Sequence, residues 1–347
     1  MNRKILSSLI FTITLILSAC GAEPERSQTL RVMTHDSFAV ADDVVAAFED
    51  QYDVKVQFLA SGDTGAALNK AILSVGNPLA DVFYGVDNTY LSRALEANIF
   101  EPYQSPLLDN VPAEFQLDPD YRALPIDWGD VCINYDVAYF KDENLAPPVE
   151  LEDLLKPEYQ GMLVVQDPAT SSPGLAFLLA TIAHFGEDGY LDFWRGLVAN
   201  DLRVVSDWES AYYTEFSYWG GAYPLVVSYG SSPAFEFVFI EPPVEQQLTG
   251  AVLGNEACFR QIEFAGILAG TPNRTLSEQW IDFMLSAAFQ EDVLSQMAVY
   301  PVVSDTLIHE DFIDYLAIPD QPATLDPALI AANRDAWIQA WREVVLR

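Results

Sequence analysis

Six short polar clusters, rich in carboxylates, hydroxyls and aromatic rings, each follow the end of a predicted β-strand. In open α/β sheets, this edge is where ligands bind. Several clusters also open a helix, which leaves free backbone N–H groups beside the hydroxyls. Each cluster alone is better explained as an ordinary helix cap, and it is their joint placement at one edge that predicts a small-molecule site. The clusters are His35-Asp36-Ser37, Gly62-Asp63-Thr64, Asp87-Asn88, Thr170-Ser171-Ser172, Asp207-Trp208 and Tyr229-Gly230-Ser231-Ser232.

Alternating strands and helices position these clusters, and the short connections between them predict a doubly wound α/β sheet. His35-Asp36-Ser37 is predicted to cap the helix that carries Phe48. Helical patterns at Leu276–Leu285 and Pro327–Val345 complete the chain. Apolar patterns predict strands at Thr29–Thr34, Val54–Leu59, Ala80–Tyr84, Leu163–Val165, Arg203–Val205, Leu225–Ser228 and Ile262–Leu268.

The composition is strongly acidic. The chain of 347 residues has 17 basic and 51 acidic side chains, and its net charge is therefore 17 − 51 = −34. The electrostatic field of this net negative charge repels nucleic acid and anionic lipid, and it enriches cations near the protein surface. Solubility or adaptation to salt explains the charge as well as ligand steering does. In either case, the net charge disfavours anionic substrates. The length of the chain is enough for two domains.

The N-terminus has the pattern of a secretory signal. Arg3 and Lys4 precede an apolar run, Ile5–Ala19, that is short for spanning a bilayer. Leu17–Cys20 resembles a bacterial lipobox, so residues 1–19 are predicted to be removed and Cys20 to be acylated. An ordinary signal that happens to be cut beside a cysteine is the alternative. Residues 20–28 read as a tether, which predicts an extracytoplasmic protein anchored by lipid.

Two further cysteines lie in apolar, strand-like contexts. Cys132 and Cys258 could form a bridge in an exported protein, and two buried free thiols are the alternative. The three histidines, His35, His184 and His309, have no spacing typical of a metal site. We therefore predict neither a metal nor a cofactor.

Eight segments spread over nearly the whole mature chain match one family in order and spacing. They are THDSF (Thr34–Phe38), ADVFYGVDN (Ala80–Asn88), the DWGD–NYD stretch (Asp127–Asp136), DPATSSPGLAFLL (Asp167–Leu179), DWESAY (Asp207–Tyr212), SYGSSPA (Ser228–Ala234), VYPV (Val299–Val302) and NRDAWIQAW (Asn333–Trp341). On these segments, the chain from Leu30 to Arg347 resembles the thiamine-binding solute receptors of ABC importers. These receptors belong with two-domain periplasmic binding proteins that also include ferric-ion and polyamine receptors.

The resemblance implies a set of ligand contacts. The predicted ligand-binding residues are His35, Asp36, Asp63, Thr64, Thr170, Ser171, Ser172, Trp208, Tyr229, Gly230, Ser231 and Ser232. The chain departs from the family pattern at three places. His35 stands where a tyrosine is common, residues 39–43 lack a tryptophan, and Ala298 replaces another tryptophan. These departures leave fewer aromatic walls for the ligand.

Thiamine suits these residue types because it carries a permanent thiazolium charge. An aromatic face such as Trp208 or Tyr229 holds a cation with about 0.5–2 kcal/mol. Asp63 could balance the charge, and the turn at Thr170–Ser172 could satisfy the hydroxyl or a phosphate of its ester. Packing in the core is the alternative role for Trp208 and Tyr229.

The resemblance also implies a periplasmic-binding-protein fold with two lobes around a ligand cleft, each built on a doubly wound mixed sheet. Lobe 1 would comprise residues 29–127 and 260–347, and lobe 2 residues 128–259. Hinge strands near 127–135 and 258–264 would let the lobes close on the ligand. The expected partner is the permease of an ABC importer, and the expected state is a monomer.

An enzyme is the competing class. Asp63-Thr64-Gly65 echoes an aspartic protease triplet, but such enzymes need two, and the sequence has no second one. The sequence also lacks a Gly-Xaa-Ser-Xaa-Gly elbow, so we predict no enzymatic activity. Among receptors, Tyr212, Tyr213 and His35 would suit ferric ion. Polyamine binding would draw on the aspartates Asp36, Asp63, Asp87 and Asp207.

Overall fold

The computed structural model describes residues 28–347, and the predicted signal at residues 1–19 and Cys20 lie outside them. Every predicted strand is present, with ends that differ by a few residues in most cases. The strands are β1 (Gln28–Thr34), β2 (Val54–Ala60), β3 (Val82–Asp87), β4 (Phe100–Glu101), β5 (Leu124–Asp136), β6 (Leu163–Gln166), β7 (Arg203–Val205), β8 (Leu225–Tyr229), β9 (Thr249–Val252), β10 (Phe259–Leu268) and β11 (Tyr300–Pro301).

Helices cover the sheet, and none of the described helices is long and apolar enough to cross a membrane. In the last of them, Ile330, Trp337 and Trp341 recur on one face and are buried. The helices are α1 (Asp42–Tyr52), α2 (Thr64–Leu73), α3 (Leu91–Glu96), α4 (Val137–Asp142), α5 (Ser172–Ala199), α6 (Ser232–Phe239), α7 (Arg274–Met284), α8 (Ala287–Met297), α9 (Glu310–Ile313) and α10 (Pro327–Val345). The Trp341 ring of α10 meets the edge of Trp194 in α5 at 5.4 Å.

The eleven strands of residues 28–347 form one mixed sheet. Its main path runs β2-β1-β3-β10-β5-β8-β6-β7, and the other three strands pair with β5 or β10. The strands β2, β1 and β3 are parallel, as are β8, β6 and β7. The long strands β10 and β5 are antiparallel to their neighbours on this path and join the two parallel groups. The α/β class and the mixed sheet of the predicted fold are thereby confirmed.

The pairing of β5 with β10 occupies the predicted hinge region. Asp127 lies opposite Glu263, and Asp130 lies opposite Arg260. The Arg260 guanidinium donates to Asp130 from Nε at 2.6 Å and from Nη2 at 3.0 Å. It also lies over the Trp128 ring, 4.2 Å from the centroid. These contacts fix the register of the two connecting strands.

The predicted cap of α1 is wrong. The helix begins at Asp42, its N-cap residue is Ala41, and no side chain caps it. His35-Asp36-Ser37 lies six residues earlier along the chain, too far away to reach the first turn. Asp36 instead accepts a hydrogen bond from the backbone N–H of Gly62 at 2.7 Å. The cluster therefore ties the loop after β1 to the loop after β2.

A disulfide joins Cys132 of β5 to Cys258, directly before β10, and the two cysteines are 126 positions apart in sequence. Both side chains are fully buried. The bridge decides between the two alternatives that the sequence left open, and it links the two connecting strands covalently.

Replacing Cys132 and Cys258 together by alanine is expected to lower the free energy of unfolding by about 3–5 kcal/mol. The reason is that the bridge closes a long loop in the unfolded chain. Urea unfolding of the oxidised protein and the double variant measures the difference. The Cys132→Ala single variant should lose a similar amount because it breaks the same bond. Equal urea midpoints for all three proteins would contradict the prediction.

Candidate functional site

A cavity of about 310 Å³ lies where the loops after β1, β2, β7 and β8 meet the start of α5 and the end of α8. Its volume falls in the range of small-molecule sites. Most of the predicted ligand-binding residues contribute to its wall. Those that line it are His35, Asp36, Asp63, Thr64, Ser172, Trp208, Tyr229 and Ser232.

Four predicted residues do not line the cavity, because their polar groups are used or enclosed elsewhere. The Thr170 hydroxyl donates to the carbonyl of Ser206 at 2.6 Å. Ser171 precedes α5 and is fully buried. The Gly230 amide donates to the carbonyl of Asp130 at 2.8 Å, and the Ser231 hydroxyl donates to the carbonyl of Ala298. These residues support the wall from behind.

Asp63 caps α2 and also contacts two distant parts of the chain. Its carboxylate accepts hydrogen bonds from the backbone N–H groups of Thr64 at 2.7 Å, Ser172 at 3.3 Å and Trp208 at 3.2 Å. Burial raises the pKa of Asp63, while the Ser171 side chain, the Thr64 and Ser172 amides and the charge of His35 oppose the rise. The carboxylate thus joins α2 to the start of α5 and to the loop after β7.

Two further contacts reinforce this junction. The Tyr90 hydroxyl donates to the carbonyl of Pro168 at 2.7 Å, and the Gly65 amide donates to the carbonyl of Thr170 at 3.1 Å. A Cβ atom at position 65 would lie 2.8 Å from the Thr170 oxygen, so the close approach requires glycine. The two predicted lobes therefore touch through backbone groups beside the cavity.

A buried acidic network forms the floor of the cavity. The Tyr84 hydroxyl donates to Asp127 at 2.6 Å and lies 3.2 Å from Glu263, whose other oxygen is 3.4 Å from His35 Nε2. Burial and the charge of Glu263 hold the pKa of Asp127 well above its usual range. Burial also acts to raise the pKa of Glu263, but His35, Asp127 and Tyr84 lower it overall. The network therefore favours the protonated form of Asp127 and the ionised form of Glu263.

His35 is the basic partner in this network. Burial acts to lower its pKa, but the charges of Glu263, Asp63 and Asp36 outweigh that effect and raise it. The imidazole also packs on the backbone of Gly85, where a Cβ atom would lie 2.5 Å from the ring. His35 is thus fixed on the cavity floor.

Aromatic side chains form one wall. The Trp208 ring stacks on Tyr212, with centroids 4.9 Å apart and planes at 14°, and its Nε1 donates to Ser228 at 3.0 Å. The Tyr229 hydroxyl donates to Gln261 at 2.7 Å. Trp208 and Tyr229 are only partly buried and line the cavity. They can therefore serve both packing and ligand contact.

Several residues that line the cavity are absent from the predicted set of ligand contacts. Tyr212 and Tyr213 had been noted only as ligand types that would suit iron, and a π-helical turn at Ser210–Glu215 brings both to the wall. Such turns are frequent at functional sites, but the hydrophobic periodicity of a sequence does not predict them. The further lining residues include Phe38, Trp219, Phe235, Glu236, Glu263 and Met297.

The charge of the cavity is negative. Of the described residues that line it, none is lysine or arginine. The acidic residues in its wall are Asp36, Asp63, Glu209, Glu236 and Glu263. No group of three or more histidine, cysteine, aspartate or glutamate side chains within residues 28–347 is arranged to hold a metal ion. The electrostatic field at the site favours an organic cation.

Asp63→Ala is expected to lower the free energy of unfolding by about 1–3 kcal/mol, because the amides of Ser172 and Trp208 lose their acceptor. Asp36→Ala is the matched control, since Asp36 is exposed and accepts one bond from Gly62. Urea unfolding compares the two variants with the wild type. An equal loss in both would refute the special role of Asp63.

Asp127→Asn is expected to flatten the dependence of stability on pH. The raised pKa means that the folded state holds a proton that the unfolded chain releases above about pH 4. Wild-type stability should therefore fall as the pH rises beyond that value, whereas asparagine mimics the protonated acid at every pH. Urea midpoints from about pH 5 to about pH 8 measure the effect. The exposed Asp142→Asn control should keep the wild-type slope, and a parallel curve for Asp127→Asn would disprove the assignment.

Comparison with known proteins agrees with this architecture. Residues 77–313 match the family described as "Bacterial extracellular solute-binding protein". The "Thiamine-binding periplasmic protein" of Salmonella typhimurium is 30% identical over 341 residues, which cover 96% of this chain and 98% of that protein. The "Iron uptake protein A1" of Synechocystis is 22% identical over 364 residues, which cover 99% of each chain.

Solved structures show the same relationship. A "Periplasmic thiamin binding protein" superposes with a TM-score of 0.82 at 30% identity and covers 92% of this chain and 97% of that chain. A ferric binding protein from Campylobacter jejuni reaches a TM-score of 0.72 at 19% identity, with coverage of 91% and 99%. The two-lobe fold is common to these proteins. The chain belongs to the bacterial extracellular solute-binding proteins.

Proposed function

We propose that this protein captures thiamine, or a phosphate ester of it, in the cavity and delivers it to an ABC importer. The observation that carries the proposal is the pairing of an aromatic wall, Trp208 with Tyr229, and a lining that is acidic and free of lysine and arginine among the described residues. A thiazolium ring is flat and permanently charged. It therefore gains from both features. The thiamine-binding relatives support the same ligand class.

The arrangement around Asp63 favours thiamine over its phosphates. The N-terminal end of a helix such as α5 is the usual place for a phosphate. The Ser172 amide already donates to the Asp63 carboxylate, and the Ser172 hydroxyl accepts from Gln261 at 2.9 Å. A phosphate would meet the charge of Asp63 there. We therefore expect the affinity for thiamine to exceed that for its pyrophosphate.

We infer that ligand uptake uses hinge closure. The lobes would be residues 29–127 with 260–347, and residues 128–259. They would rotate about β5 and β10, which connect the two parallel groups of strands. Asp63, Gly65 and Tyr90 would hold the closed form by their bonds to the opposite lobe. Acylation of Cys20 would keep this monomeric receptor at the membrane, beside the permease.

Titration calorimetry of the soluble protein from Gly21 onward should show one thiamine bound per chain. Trp208→Leu is expected to weaken binding by about 10- to 100-fold, because a cation–π face and its packing are lost. Trp337→Leu is the control. This tryptophan lies in α10 and does not line the cavity.

The same titration separates the rival ligands. Heat with ferric ion or spermidine, and none with thiamine or its two phosphates, would keep the receptor role and remove the thiamine assignment. An iron complex of Tyr212 and Tyr213 would also be coloured. Small-angle scattering with and without ligand tests closure, and an unchanged profile on saturation would refute it.

A further inference from the structure

Glu236 lies at the aromatic end of the cavity. It belongs to α6 and is 9% exposed, and it lines the cavity beside Tyr212, Tyr213 and Trp219. Tyr213 and Trp219 are about half exposed and meet edge to face with centroids 5.5 Å apart. Trp208 packs against Tyr212 and Tyr213. We call the four rings of Trp208, Tyr212, Tyr213 and Trp219 the aromatic box, and the Glu236 carboxylate lies beside it in the cavity wall.

The partners of Glu236 leave its charge uncompensated. The Tyr212 hydroxyl donates to Oε1, and the Thr249 hydroxyl donates to Oε2 at 2.7 Å. The titratable and charged groups that face it are the phenols of Tyr212, Tyr213 and Tyr218, and the carboxylate of Asp136. Phe312 of α9 and Tyr315, two residues after that helix, pack on Phe239 and Phe237 of α6.

Two other acids in the cavity wall are already engaged. Three backbone amides donate to Asp63, and His35 with Tyr84 surrounds Glu263. Glu236, in contrast, interacts with the uncharged donors of Tyr212, Thr249 and Trp219. Burial of a carboxylate without a positive partner is unfavourable, and a bound cation removes that cost. A cationic ring inside the aromatic box would be the missing partner.

We propose that Glu236 is the specificity-determining carboxylate that selects a permanently charged, flat organic cation over a neutral ring of the same shape. This inference rests on the proposed function and refines it. Asp63 is the residue that the sequence suggests for balancing the charge of the ligand. We assign this role to Glu236 instead, because the Asp63 oxygens accept the hydrogen bonds that join α2 to the start of α5.

The assignment has a consequence for pH. Burial raises the pKa of Glu236 to about 7, against hydrogen bonds from Thr249, Tyr212 and Trp219 that lower it. A cation stabilises the ionised form, so below that pH binding must release a proton. Affinity for the cation therefore rises with pH up to about 7 and then levels off. Protonation of His35, which also lines the cavity, weakens binding in the same direction, so the informative quantity is the difference between wild type and variant.

The test compares thiamine with thiochrome, its neutral oxidation product, by titration calorimetry and fluorescence quenching. Glu236→Gln keeps the shape and the hydrogen-bond acceptor but removes the charge. It is expected to weaken thiamine binding by about 10- to 100-fold and to change thiochrome binding by less than about threefold. Glu187→Gln is the matched control, an exposed acid of α5 outside the cavity lining, and should change either affinity by less than about threefold.

Protons provide the second measurement. Titrations in buffers of different ionisation enthalpy at about pH 6.5 should show proton release on thiamine binding to the wild type, and less release with Glu236→Gln. Unfolding midpoints confirm that both variants fold.

The outcomes are distinguishable. If the wild type binds thiamine and Glu236→Gln binds it equally well, the role of Glu236 is overturned while the proposed function stands. If Glu236→Gln weakened the binding of thiochrome and of thiamine equally, Glu236 would have only a structural role, and the proposal would also be overturned. If the wild type binds no thiamine, both proposals fail.

Discussion

The antiparallel pairing of β5 with β10 is the constraint on which the rest of the structure depends. These strands join two groups of parallel strands, and the cavity lies over their contact. Their register places Asp127 opposite Glu263 in a dry interior, where two carboxylates at close range cannot both be charged. One proton, the Tyr84 hydroxyl and the His35 imidazole resolve this conflict. The floor of the cavity is polar because the strands that connect the two parallel groups carry the polar residues Asp127 and Glu263.

Negative charge in the wall is managed in three different ways. Backbone amides satisfy Asp63, a histidine balances Glu263, and uncharged side-chain donors reach Glu236. Each solution has a different energetic meaning. Amides and imidazole belong to the protein and are present in every state, whereas the shortage at Glu236 is relieved only by something that enters from outside. A receptor for a cation needs one such shortage, and an aromatic box around it supplies the face that a flat ring requires.

Strong local signals made much of the fold predictable. Helix α10 begins with Pro327 after Asp326, which caps it at 2.7 Å, and its apolar spacing holds to Val345, so both ends were predicted correctly. Trp208 and Tyr229 follow strands and line the cavity, as the edge rule expects. The sequence does not predict Glu236 as a site residue, because it lies in the apolar run SPAFEFVF, which is typical of a buried helix. Trp219 is not predicted either, because the short segment Ser217–Trp219 has no hydrophobic periodicity. The bonds of Asp63 join residues more than 100 positions apart, which no local pattern encodes.

The tight contact at Gly65 bears on any attempt to engineer this protein as a biosensor. Its Cα lies against the Thr170 carbonyl with no room for a methyl group, so the junction between α2 and the loop before α5 cannot be retuned through that side chain. Tyr213 and Trp219, in contrast, are half exposed and carry no part of this junction. A library that varies these two residues would change the aromatic rim of the cavity and leave the contact at Gly65 as it is. The rim and the junction are thus separable in this scaffold.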